Sequence, residues 1–395
     1  MSGTFLLARR HLWHHKGRSA VLVACLTLTF SLPLGMELFS RHVETRLSSR
    51  AASTPMIIGA AGSRFDLALH ALYFRGQPPR ETNMREVQRV ADSGFATAIP
   101  MLARFKAEGF PIVGTTPAYL SFRRLRLAIG DKWSRYGDCI VGANVADRLK
   151  IGLGDSVTSE PENLFELDGS FPLKMRVTGL LASTDSPDDD AIIVDIHTAW
   201  IIAGIGHGHA PAPASRSASQ NETNPESPTD GSPPAHDASL IEYTEIDESN
   251  AASFHFHGER EDFPVTAIIA IPNDNEAETL LMGRYLDADD PSQVLQPTEV
   301  IDELLSFVVQ LRRVFAYAFA AMSSVTVALL ALLIVLTVKL RDREFQTMFR
   351  LGGSRFLIVR LVGAELLILI SASGVATLMI ICGLSMMISQ LSFVG

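Results

Sequence analysis

The sequence has little of what a soluble enzyme or a nucleic-acid binder is built from. Three cysteines occur in 395 residues, and charged residues make up only 19%. Cys25 and Cys382 fall inside apolar runs at opposite ends of the chain, with Cys139 alone between them; that set builds neither a disulfide framework nor a cysteine zinc site. Basic residues are in deficit, 34 Lys and Arg against 43 Asp and Glu for a net charge of -9, and the middle region lacks the basic stripe that phosphate binding needs. Nucleic acid is not an expected partner. The sequence also shows no nucleophile elbow, no HExxH and no Ser–His spacing that singles out a dyad, so catalysis by this chain alone is not expected. The glycines of IGLGDSV at 151–157 are followed by no Lys-Ser/Thr and do not make a phosphate loop.

What is present is apolar sequence, 47% of the chain at a mean hydropathy of +0.20, concentrated at the two ends. Residues 19–39, 316–338 and 361–388 form runs of the roughly 20 apolar residues that cross a hydrocarbon core. Three spans are too few for a conventional multi-span pore. The first run is longer than the about 7 to 15 residues of a signal-peptide core and reads as an uncleaved anchor, with Pro33 tolerable in a packed membrane helix. Arg9, Arg10, Lys16 and Arg18 precede it, and Lys339, Arg341, Arg343, Arg350, Arg355 and Arg360 crowd the loop between the second and third runs. The positive-inside rule then places the basic arm 1–18 and the segment 339–360 in the cytoplasm, and puts 40–312 and the tail 389–395 outside. Glu365, costly in lipid, is expected to pair with Arg360 or to face another helix.

The expected fold class is a membrane protein with α-helical spans plus an α+β extracytoplasmic domain on helical stalks. After Thr298, a candidate N-cap, Ile301, Leu304, Leu305, Val308, Leu311 and Phe315 recur at helical spacing into the second run, and Val43 and Leu47 repeat the pattern more weakly after the first. Between these stalks, β-branched runs at 56–58, 112–113, 175–177, 191–194 and 265–271 alternate with helical stretches such as 84–91 and 144–149. Residues 210–262 are rich in Pro, Ser, Asn and acid and read as a disordered insert. The run Asp188, Asp189, Asp190 lacks the spacing of an EF-hand and reads as a solvated turn.

Two histidine pairs flank the insert, His207 with His209 and His255 with His257. An H-x-H pair on a strand places both imidazoles on one face, and two such pairs could converge on zinc or copper. The spacing matches no compact structural-zinc signature, and solvated histidines in a polar insert give the same pattern.

The segment 339–365 is more specific. Arg343, Glu344, Leu351, Gly352, Gly353, Ser354, Arg355 and Glu365 resemble the membrane segment of MacB/FtsX-like ABC transporter permeases. PIVGTTPAYL at 111–120, IVGANVADRLKIGLGDSV at 140–157 and MRVTGLLASTDSPDDDAIIVDI at 175–196 are each similar to stretches of that family's periplasmic core domain. The resemblance implies a coupling helix, anchored by Phe345, Met348, Phe349 and Leu351 and broken at Gly352-Gly353, that docks on a separate ATPase subunit. ATP would bind that partner, and no cofactor would be held by this chain. It further implies a homodimer, a possible periplasmic adaptor, and a bacterial inner-membrane location. The small residues Ala316, Ala320 and Ser324, spaced four apart, suit helix pairing. The expected role is mechanotransmission for export or extraction of a lipid, lipoprotein, peptide or drug-like substrate; a regulatory scaffold and a metal-handling role are the alternatives. Family members carry a fourth span, expected here to be missing, supplied by another polypeptide, or lost through a shortened reading frame.

Overall fold

The computed structural model describes residues 2–161, 172–208, 244–247, 250–287, 289–340, 346, 350 and 355–391. It separates into two compact units, 1–48 with 302–395, and 49–301.

The first unit is helical. Helices Ser2–His14, Lys16–Ala52, Pro297–Leu340 and Arg355–Leu391 supply it, the second and third extending beyond its bounds. Stretches of three of them, Lys16–Ala52, Pro297–Leu336 and Val359–Met387, are long and apolar enough to cross a membrane. Pro33 lies inside an unbroken helix. Leu28, Leu34, Leu329, Leu332 and Leu378 are exposed along these helices, as lipid-facing positions would be in a chain whose soluble part buries its apolar residues. Among the described residues, polar contacts join different helices of this unit. Thr29 and Thr326 hydroxyls lie 3.4 Å apart, and Arg312 meets Glu37 at 3.4 Å. Glu365 faces another helix, with His11 Nδ1 3.0 Å from its carboxylate.

The second unit is organised by a mixed sheet. Its strands run, in spatial order, Thr244–Glu245, Leu173–Leu181, Asp138–Val141, Ile192–Asp195, Phe110–Thr115, Ala96–Leu102, Ala267–Pro272, Met56–Ala60 and Ser292–Leu295. The pairing of Ile192–Asp195 with Phe110–Thr115 is parallel, as is that of Asp138–Val141 with Leu173–Leu181, while Ala267–Pro272 pairs antiparallel on both sides. Successive strand residues point to opposite faces, and the apolar ones sort accordingly. Ile112, Cys139, Val141, Ile192, Val194 and Ile268 join one buried cluster, whereas Val113, Ile140, Ile193 and Ile269 join another. A sheet buried on both faces explains why its central strands read as unbroken apolar runs without alternation.

Helix starts follow local capping chemistry. The side chains of Ser63, Asp195 and Asp274 accept hydrogen bonds from the first-turn amides of Arg64–Tyr73, Ile196–Ile202 and Asn275–Gly283. Gly142 opens Ala143–Leu149, and there a Cβ would fall 2.3 Å from the Asp189 carbonyl oxygen; only glycine lets the two backbones meet.

One expectation is corrected. Composition alone puts the insert at 210–262, but Thr244–Glu245 is a sheet strand paired with Leu173–Leu181, and His255–Phe256 is a strand paired with Gly206–His207. The fold therefore resumes well before Val265. Composition averaged over a window concealed the aromatic residues Phe254 and Phe256, which pack on the domain. Residues 209–243 lie outside the described residues.

Candidate functional site

Three places bear on function: the end of the first long helix, a histidine-bearing ribbon, and the segment after the second apolar helix. At the first, helix Lys16–Ala52 brings Arg50 into the domain. Its Nη1 donates to Asp188 Oδ2 at 2.6 Å and its Nη2 to Asp188 Oδ1 at 3.0 Å, a bidentate pair. Nη2 also donates to the Tyr119 hydroxyl at 2.9 Å, Tyr119 donates in turn to Asp188 Oδ1 at 2.6 Å, and Arg50 Nε donates to the Leu72 carbonyl at 3.2 Å. Arg123 adds a tie to the same helix end through Thr54 Oγ1 at 2.8 Å.

Asp188 is 0% exposed and Asp189 1%, so the expected solvated turn is in fact a buried one. Its acids are matched individually. Asp189 caps the turn through the Thr184 amide and hydroxyl, and Asp190 accepts from the Asn144 amide at 2.9 Å. Burial pushes the Asp188 carboxyl up, but the Arg50 charge and hydrogen bonds, the Tyr119 hydroxyl and the Arg123 charge together hold it below its usual range. Burial, with the Asp188 charge, pushes Tyr119 up to about 12, which keeps its hydroxyl a donor at neutral pH. Sequence spacing could not reveal this cluster, because Arg50, Tyr119 and Asp188 come from distant positions joined only by the fold.

The second place is the two-stranded ribbon Gly206–His207 and His255–Phe256, in which Gly206 opposes Phe256 and His207 opposes His255. The His257 amide extends the ladder by donating to the Ile205 carbonyl at 3.1 Å. Alternation puts His207, His255 and His257 on one face. The rings of His207 and His255 lie 4.9 Å apart, and each lies 4.7 Å from His257. Phe256 takes the opposite face, where it meets the rings of Trp200, Phe263, His197 and Tyr136. Trp200 is itself fixed by donating from Nε1 to the Pro264 carbonyl at 2.9 Å. His197 is held in that aromatic cluster by Asp195, 2.6 Å from its Nδ1, and His209 lies outside the described residues.

At the third place, Arg355 opens helix Arg355–Leu391. The remaining coupling candidates, Arg343, Glu344, Phe345, Met348, Phe349, Leu351, Gly352, Gly353 and Ser354, lie outside the described residues.

Residues 21–220, just over half of the chain, match the model of the MacB-like periplasmic core domain, and the chain belongs to that family. Two solved structures are similar to it. One is the periplasmic region of MacB from Actinobacillus actinomycetemcomitans, at 8% identity over 65% of this chain and 97% of that one, with a TM-score of 0.36. The other is the extracellular domain of the noncanonic ABC-type transporter YknZ from Gram-positive bacteria, at 10% identity over 61% and 98%, with a TM-score of 0.32. Comparison with curated proteins gives no match.

Proposed function

We propose that the chain is the membrane subunit of an ABC transporter and acts as a mechanical relay. A separate ATPase subunit would dock on 339–360 in the cytoplasm, and its cycle of ATP binding and hydrolysis would move the apolar helices. The observation that carries this reading is membership of the MacB-like family together with one unbroken helix, Lys16–Ala52, that holds both the first apolar run and Arg50. At 1.5 Å per residue that helix is about 55 Å long, well beyond a hydrocarbon core of about 30 Å. Its end is held by Asp188 and Tyr119, so the chain that leaves the first apolar run is anchored in the sheet domain by a buried ion pair. The domain would then act outside the inner membrane on a lipid, lipoprotein, peptide or drug-like molecule, in a homodimer and with an adaptor where one exists.

The test is reconstitution of the full chain with its ATPase in lipid nanodiscs. Arg343→Ala, Glu344→Ala and Leu351→Ala are expected to lower hydrolysis, and Asp188→Asn to uncouple hydrolysis from movement of a spin label on the domain. Failure of any ATPase to co-purify with the chain, or hydrolysis indifferent to all three cytoplasmic substitutions, would remove the reading.

A further inference from the structure

We propose that the ribbon Gly206–His207 and His255–Phe256 carries a zinc site on the domain surface, with His207, His255 and His257 as ligands. One ring nitrogen from each lies within 4.8 Å of the others. Three nitrogens on a tetrahedral zinc, each about 2.0 to 2.1 Å from the metal, stand about 3.4 Å apart. The difference is on the scale of a side-chain rotation, and His207 and His257 are exposed.

Two features of the ribbon make this a built arrangement. The first is the tautomer of His255. Its Nδ1 lies 3.1 Å from the Ser253 carbonyl oxygen, which can only accept, so Nδ1 carries the proton and the lone pair is on Nε2. A backbone carbonyl fixing the far nitrogen of a ligand histidine is the usual support of a metal site. The second is the way the histidines are forced outward. A Cβ on Gly206 would fall 2.7 Å from the Phe256 ring, and one on Gly208 2.5 Å from the Phe254 ring. The two glycines accept the two aromatic rings on the inner face, leaving His207, between them, and His255 and His257, alternating with the phenylalanines, no face but the outer one.

The donor set selects the metal. Among the described residues the group is made of imidazoles without carboxylates, which do not suit calcium or magnesium. Cys139 is buried in the core and no thiolate joins the group, which argues against copper(I). Three nitrogens converging from one side match three corners of a tetrahedral ion, the zinc arrangement, better than the planar set of copper(II). The ligands are separated in sequence by residues 208–254, so the ion would join the two strands directly. The proposal does not depend on the transporter reading.

The experiment uses the full chain in detergent, stripped with EDTA and titrated with zinc chloride against a chromophoric chelator. One zinc per chain at micromolar affinity or tighter is expected. His255→Ala and His207→Ala should each weaken it at least tenfold, with His14→Ala unchanged. Cobalt(II) should give the visible bands of a four-coordinate ion in the parent chain and not in the His207→Ala, His255→Ala double variant. Thermal unfolding of the metal-free chain should be the same with and without these substitutions, separating lost binding from lost folding. Absence of stoichiometric zinc binding, binding insensitive to both substitutions, or tight copper(II) binding without zinc would overturn the assignment.

Discussion

The Arg50 cluster and the histidine ribbon lie in the same unit and handle polar side chains in opposite ways. Arg50 and Asp188 are withdrawn from water, and each charge is met by the other and by Tyr119. In the ribbon His207 and His257 are exposed and His255 is half-buried, with their apolar anchor, Phe256, turned inward. A buried charge is tolerable only if its partner is supplied by the fold, and in the first cluster Asp188 and Tyr119 supply it. Polar rings at the surface keep their contact with water and need no counter-charge from the fold.

The sharpest way to break this contrast is Asp188→Ala, which leaves a buried guanidinium without its counter-charge. Loss of about 3 to 5 kcal/mol is expected, read as a lowered midpoint in chemical unfolding of the detergent-solubilised chain. Mild acid should come next. His70 is buried, and burial, against a smaller pull from the Ala103 backbone, pushes its pKa from 6.5 down to about 4. Between those values the unfolded chain binds the extra proton and the folded chain does not, so stability is full above about pH 6.5 and falls as the pH drops toward 4. The loss approaches about 3 kcal/mol below that pH, and His70→Gln should flatten the slope. Asp188 works in a lower window, because its lowered pKa preserves its contribution until the pH falls below the ordinary 3.8. A stability profile from pH 7 to 3 that responds to His70→Gln only below 4 would contradict this separation.

Tyr119→Phe removes one hydroxyl from the closed cluster and keeps the ring. A loss of about 1.5 to 3 kcal/mol is expected, the range for hydrogen bonds to charged groups, in the same unfolding assay. At the other end, His257→Ala should change the metal-free chain by no more than about 0.5 kcal/mol. A large effect there would mean that the ribbon is held by its imidazoles and not by Phe256.

Much of the sheet was legible because its strands are short apolar runs closed by glycine, proline or acid. The run at 56–58 grew to Met56–Ala60, that at 112–113 to Phe110–Thr115 and that at 175–177 to Leu173–Leu181. The helices at 84–91 and 144–149 differ by single residues from Met84–Asp92 and Ala143–Leu149. The family resemblance was legible in ordered pieces of the same region, inside the stretch 21–220 that matches the family model. Asp188 was misread because acidity in a row is a local signal, while the guanidinium that neutralises it arrives 138 positions away in sequence. The histidines were legible as pairs, but not as a trio, since which of them meet depends on the register of Gly206–His207 against His255–Phe256.

The sequence by itself determined the division of the chain between apolar helices and a mixed α and β domain, because periodicity and hydropathy are properties of neighbouring residues. Tertiary structure alone decided which acid is buried with Arg50, that Thr244–Glu245 joins the sheet, and that three histidines share one face. Each of these depends on strand order and register, where side chains far apart in sequence meet through a packing that no local pattern encodes.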